Sequence, residues 1–318
     1  MLSALTIVAA LSGDAQAAQH GATSQWNWSE KQRFYLDVDV HLPQIMWFAA
    51  TYNKQARVDY FELELIADCS PGEVENRRSY LVTCKLEALA LRAEGLPQDA
   101  KLLGPIVSEM ADRMSGTRVQ LQVRSDGRLV NIDIEDLDRR NQRFALINEN
   151  MRLMLSRAFS GLDLPLGPSA DEAWVQHDSW LMRAPSPVGS SGSSDIVSRV
   201  TAVDGLVWTI QSGGRGIIAP GEGLNKYDAR MFASATFDQR SGTLIERVWT
   251  VVGGPTASSL IAQGIEGFPY VQRGRIVSLE EGEAWQLGDT GAFAPQGPKP
   301  SALQQGQYLG THPSGRGL

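Results

Sequence analysis

Histidine and cysteine are scarce in this 318-residue chain, which has four of the first and two of the second. A structural zinc site takes about four nitrogen or sulfur ligands. His20, His41, His177 and His312 show no spacing near Cys69 or Cys84, so the sequence carries no metal-ligating motif and implies no cofactor. G-x-S-x-G, H-E-x-x-H, Walker A and S-x-x-K motifs are absent too, which removes the reaction classes that rest on them. The glycine-rich "GGRGIIAPGEG" lacks a complete G-x-G-x-x-G, so its glycines read as turns or bulges rather than a phosphate cradle. Basic charge is in deficit: 29 Lys and Arg against 36 Asp and Glu leave a net −7, which argues against nucleic acid as the main partner.

Long apolar runs are missing as well. The N-terminal run Leu2–Leu11 is largely apolar but only ten residues long, about half of what a spanning helix needs. Ala15-Gln16-Ala17 follows it, a small-x-small pattern that a signal peptidase accepts. Residues 1–17 therefore read as a signal peptide, which places the mature protein outside the cytoplasm, in the periplasm or cell envelope. No Lys or Arg precedes the run, and the other reading is a buried first strand.

What is present is β patterning. Cys69 and Cys84 lie in two alternating apolar segments, Tyr60–Cys69 and Tyr80–Leu91. If the cysteines face each other across an antiparallel hairpin, Ala67 meets Leu86, Leu65 meets Ala88 and Leu63 meets Ala90. Asp68 then meets Lys85 on the other face as an opposite-charge pair. One face is apolar and the other mixed, as a half-buried sheet requires. The register supports a Cys69–Cys84 disulfide, with two buried free thiols as the alternative. Disulfides persist in oxidising compartments, in agreement with export.

Further hairpins recur. In "TRVQLQVRSDGRLVNIDIE" a two-residue turn at Asp126-Gly127 pairs Val123 with Val130, Leu121 with Ile132 and Val119 with Ile134. A second hairpin turns at Asp204-Gly205, and a third runs from Tyr227 to Val252 through "FDQRSGTL". Other strands are expected at Arg33–Val40, Ile45–Tyr52 and Arg275–Leu279. Helical spacing marks residues 98–115, with Leu103, Ile106, Met110 and Met114 on one stripe and Gly116 as the stop, and residues 136–160, with Phe144, Met151, Met154 and Leu155. The fold class is mainly β (α+β): a long antiparallel meander over residues 18–290 with two amphipathic helices on one face. The alternative is two β subdomains divided by "APSPVGSSGSSD". The Gly-, Pro- and Gln-rich tail, residues 291–318, is expected to be disordered.

The order of hairpins, the x-D-G-x turns and two helices against one sheet resemble the half-barrel of periplasmic carriers that shuttle outer-membrane lipoproteins. The likeness spans Trp28 to Leu287. "VQLQVRSDGRLVNIDIEDLDRRNQ" also resembles stretches of uncharacterised exported bacterial proteins. The resemblance implies a curved sheet whose apolar face, closed by helices, suits acyl chains of a lipid or a lipidated protein. This chain is longer than those carriers and has an extra tail, so no binding residue transfers.

Three candidate features follow from the residues. Met110, Met114, Phe144, Met151 and Met154 either line an adaptable apolar pocket or fill the core. Arg139, Arg143 and Arg152, with Arg140 and Arg157, either face an anionic membrane surface or an acidic partner or form a solvated helix face. His177 beside Asp178 is the one candidate general base, although neighbours on a strand point to opposite faces. The run Asp133, Glu135, Asp136 and Asp138 lacks the pattern of a calcium loop and suits a strand end before a helix N-terminus. The expected function is binding without catalysis, with an envelope assembly factor as the alternative and a hydrolase third.

Overall fold

The computed structural model describes residues 26–47, 55–72, 79–95, 100–124, 126–135, 145–164, 179–185, 193–218, 227–255, 270–281, 283, 285–287 and 292–295. Among the described residues twelve strands join one sheet. In chain order β1 (Gln32–Trp47), β2 (Gln55–Pro71) and β3 (Ser79–Gly95) precede helix α1 (Ala100–Met114). Next come β4 (Arg118–Arg124), β5 (Leu129–Ile134) and helix α2 (Ala145–Ser160). The chain continues with β6 (Ser179–Pro185), β7 (Ser193–Asp204), β8 (Val207–Ile218), β9 (Tyr227–Asp238), β10 (Thr243–Pro255), β11 (Tyr270–Leu279) and β12 (Ala292–Pro295). The spatial order is β5-β4-β3-β2-β1-β11-β10-β9-β8-β7-β6. Two meanders, β1–β5 and β6–β11, thus meet along β1 and β11, paired from Arg33↔Leu279 to His41↔Val271. They share one sheet rather than forming two separate ones.

The sheet is open and uncurled, so the half-barrel enters only as a sheet with helices on one face. Both helices lie on that face: α1 packs on β3, β12 and α2, and α2 packs on β1 and β5. Alternation in the strands puts Phe34, Leu36, Val38, Leu63, Leu65, Ala67, Val119 and Leu121 there, all buried in a single apolar cluster with the helices. The stop at Gly116 forms as expected: it takes φ 77°, and Thr117 N–H closes back on the Met114 carbonyl at 3.1 Å. Residues 136–144 of the expected second helix, and with them Phe144, lie outside the described residues.

The Cys69–Cys84 bridge is present between directly opposed strand positions, and both cysteines are buried. Its neighbours Ala67↔Leu86 and Asp68↔Lys85 pair as the register predicts. Beyond them the register shifts between Ile66 and Ala67, so Leu65 meets Leu89 and Leu63 meets Leu91 instead of Ala88 and Ala90. Glu87 is the extra residue of a β-bulge. Without it Leu86 and Leu89 would face opposite sides of the sheet; the bulge lets Leu86, Leu89, Leu91 and Ala93 all reach the core.

Two turns also differ from their sequence-based form. Arg124 N–H donates to the Arg128 carbonyl at 2.8 Å and Gly127 N–H to the Arg124 carbonyl at 2.9 Å, with Gly127 at φ 80°. That is a three-residue loop with a glycine bulge, which pairs Val123 with Leu129 and leaves Val130 54% exposed. In the next hairpin Asp204 pairs Val207, so Gly205 and Leu206 make the turn. The expected strands at Arg33–Val40 and Ile45–Tyr52 are one strand up to Trp47, interrupted by an irregularity between His41 and Gln44. Within the stretch expected to be disordered, Ala292–Pro295 form β12, paired parallel with Arg92–Gly95 of β3.

Trp285 and Leu287 lie on the face opposite the helices. There Trp285 stacks on Tyr35 at 4.6 Å, and Trp285 and Leu287 pack on a small cluster of Tyr35, Ile66 and Leu279. On the helix side, Trp26 and Trp28 stack at 5.4 Å and close over Phe34 and Phe237. Neither described helix is long and apolar enough to cross a membrane.

Candidate functional site

Two layers carry the side chains of interest. The first lies between helices and sheet. Met110 and Met114 on α1 and Met151 and Met154 on α2 are all buried in the one apolar cluster, so the structure brings the four candidate methionines into the same layer. Amphipathic spacing explains this, because each helix turns one stripe toward the sheet.

Polar groups are few in this layer, and one of them is Arg247 of β10, 5% exposed. Its guanidinium donates to the Gly161 carbonyl at 2.6 Å and to the Asp163 carbonyl, just past the end of α2. Burial pulls its pKa down to about 10, with Asp163 opposing the shift, so it stays charged at neutral pH. A cation at a helix C-terminus meets carbonyls left without intrahelical partners. Trp249 lies beside it, with the Arg247 guanidinium 6.0 Å from the ring centre. A Cβ at Gly274 would stand 2.0 Å from the Trp249 ring and one at Gly161 2.3 Å from it. The indole is therefore clamped between β11 and the end of α2, and only glycine allows that approach.

Arg152 is half-buried and partnered, and Arg157 is buried in the layer. Arg139, Arg140 and Arg143 lie outside the described residues, as do His177, Asp178, Asp136 and Asp138. Asp133 lies in β5 and Glu135 just after it, as the strand-end reading expects.

The second layer is on the opposite face, and sequence reasoning missed it. Asp37 and Asp39 of β1 stand directly across from Glu64 and Glu62 of β2. Like charges so placed repel. Arg92 reaches Glu62 at 2.6 Å and Glu64 at 3.9 Å. Arg273 Nε donates to Asp39 at 2.9 Å, and its Nη2 lies 3.1 Å from His41 Nε2. The Tyr60 hydroxyl donates to Glu62 and the Tyr35 hydroxyl to Glu64, each at 2.9 Å. His41 packs on Tyr60 with ring centres 4.6 Å apart. The signal was in "LDVDVH" and "FELEL", where every second residue on one face is acidic or histidine. Period-2 alternation placed those residues together, but the strand order that opposes them was not legible.

Asp37 Oδ1 is buried without a hydrogen-bond partner. Burial, helped by Glu62, Asp39 and Glu64, raises its pKa to about 7. Burial also raises Asp39 to about 6 against the pull of Arg273, and lowers His41 to about 4 with help from Arg273. The band can therefore hold a proton near neutral pH. Among the described residues no group of three or more acidic, histidine or cysteine side chains is placed to hold a metal ion.

The sign of the pH effect follows from proton counts. An unfolded aspartate titrates near 3.9, so between about pH 4 and 7 the folded state keeps a proton on Asp37 that the unfolded chain has released. Stability from Asp37 and Asp39 is full below pH 4 and is lost as pH rises through 6 and 7. His41 acts oppositely, adding stability as pH rises from about 4 to 6.5. Above pH 6.5 only the carboxyl trend remains. Asp37→Asn is expected to be about 1–2 kcal/mol more stable than the parent at pH 8, with the gap narrowing below pH 7 and closing near pH 4. Urea melts across that range check this; a gap that does not change with pH would refute the assignment.

No known family model matches the chain, and no curated protein matches it significantly.

Proposed function

We propose that this chain is an exported envelope protein that binds an apolar ligand or a lipidated client between its sheet and its helices, without catalysing a reaction. The observation that carries this reading is the shared layer of Met110, Met114, Met151 and Met154, contributed by two helices on the same face of one sheet. Unbranched, polarisable methionine side chains repack around ligands of different shape. The Cys69–Cys84 bridge supports an oxidising compartment.

A second reading, an assembly factor with a filled core, is favoured by a different observation. Trp26, Trp28, Phe34, Phe159 and Phe237 are fully buried in the same cluster and are among its largest side chains. Native mass spectrometry of periplasmically expressed protein, with lipid extraction, separates the two. The carrier reading expects a co-purifying acyl species that Met110→Ala/Met151→Ala releases. Protein free of acyl species, together with no uptake of a fluorescent fatty acid, sinks it in favour of the assembly factor.

A further inference from the structure

We propose that β12 is a displaceable latch: it seats α1 on the outer edge of the sheet, and its release opens the apolar layer beneath that helix to a ligand. The inference deepens the reading of that layer as a binding site and rests on it for the ligand. β4 pairs with β3 only over Ser79–Lys85, while β2 takes the other edge of β3 over Val82–Gly95. Beyond β4, the outer edge of β3 is taken by Ala292–Pro295, opposite Arg92–Gly95. α1 connects the end of β3 to the start of β4 and packs on β3, β12 and α2. Strand and helix therefore meet where the layer reaches the border of the sheet. Ala93, in register with Phe293, is fully buried in the apolar cluster that holds Leu103, Ile106, Met110 and Met114.

Both partners in this contact are weakly held. β12 has four residues, and among the described residues it makes the one parallel pairing of the sheet. A parallel ladder is slightly weaker per residue than an antiparallel one, and Pro295 has no N–H to add to it. α1 is 15 residues long with Gly104 and Pro105 inside it. Proline removes an intrahelical hydrogen bond, and a helix this short is marginal without tertiary packing. Its place depends on what it rests against, and β12 is one of its supports. Edge segments with few hydrogen bonds open before the rest of a fold does. A released β12 stays tethered. Arg33, which meets Glu87 at 3.0 Å, donates to the Glu283 carbonyl at 2.7 Å. Trp285 stacks on Tyr35, and Leu287 packs with it on the face opposite the helices. Ala292 is five positions after Leu287, a reach of about 17 Å at full extension, so the strand re-docks as an intramolecular event.

Two variants of the full oxidised chain test the latch. Ala292→Gly/Phe293→Ser/Ala294→Gly/Pro295→Ser removes the strand's preference for the sheet without shortening the chain. Ala93→Cys/Phe293→Cys locks it, because paired strands stand about 4.8 Å apart, within the Cα separation of a disulfide; intact mass confirms the second bridge. Amide hydrogen exchange of residues 106–114 is the first readout, since it sees α1 whether or not a ligand binds. The open variant is expected to exchange these amides about tenfold faster than the parent with β8 and β9 unchanged, and the locked one severalfold slower. Uptake of a fluorescent fatty acid is the second readout. It is expected to be about tenfold slower in the locked protein than in the parent, and faster in the open variant.

Equal α1 exchange in all three proteins overturns the latch. If the replacement unfolds the whole chain, seen as lost protection in β8 and β9, the locked variant decides, and unchanged α1 exchange in it overturns the proposal. If α1 responds in both variants but no form takes up the fatty acid, the latch on α1 stands and the ligand-binding reading falls. Uptake at one rate in all three, with α1 responding, overturns the gating role of β12.

Discussion

Arg247→Ala is expected to cost about 3–5 kcal/mol of stability, the largest loss of any single substitution argued in this protein. Two effects combine. The carbonyls of Gly161 and Asp163 lose the guanidinium that satisfies them, and a buried acceptor left unpaired costs about 1–3 kcal/mol. The side chain also leaves a void beside Trp249, which adds a cavity penalty. Arg247→Met separates the two, because it keeps most of the volume and removes the donors. It is expected to recover only the packing part, with a cost of roughly 2–4 kcal/mol. Urea unfolding of both variants gives the measurement, and near-UV circular dichroism of the tryptophans reports whether the Trp249 clamp survives. If Arg247→Met matches the parent, the helix-end role of the guanidinium is refuted. Such a loss would fall first on the docking of α2, and through α2 on the methionine layer.

Loss of the disulfide ranks second. Cys69 and Cys84 are separated by 15 residues, and closing a loop of that length removes denatured-state entropy equivalent to about 3 kcal/mol. The double variant Cys69→Ala/Cys84→Ala is expected to lose about that amount in urea or thermal melts. Both cysteines are buried, at 1% and 0% exposure, so the native bridge should resist mild thiols until the chain unfolds. Intact mass without reductant checks the premise directly. Two free thiols in protein from an oxidising compartment would remove the staple and weaken the argument for export. The hairpin it clamps also carries the Glu87 bulge, so a shift in the amide resonances of Arg33 and Glu87 in the double variant would show that the staple holds the bulge in place.

The sequence by itself determined what local periodicity encodes. Alternation marked β1, β4, β5 and β7–β11, helical spacing marked α1 and the described part of α2, and glycine marked the end of α1 at Gly116. The cysteine pairing was legible because the register that opposes the cysteines also sets Ala67 against Leu86 and Asp68 against Lys85. The register beyond Ala67 was not. A bulge costs one unpaired residue and is favoured only when the leucines after it gain burial, which depends on a core built from both helices and distant strands. The same limit hid the carboxylate band: the residues alternate visibly in β1 and β2, but their mutual repulsion and the rescue by Arg92 and Arg273 exist only once four strands lie side by side. Arg247 looked like any strand arginine. Its role comes from the end of α2 arriving over β10, a meeting of segments 84 residues or more apart. Short-range pattern encodes which face a residue takes; only the tertiary structure decides which distant groups share that face, and there the energetics of burial outweigh local preference.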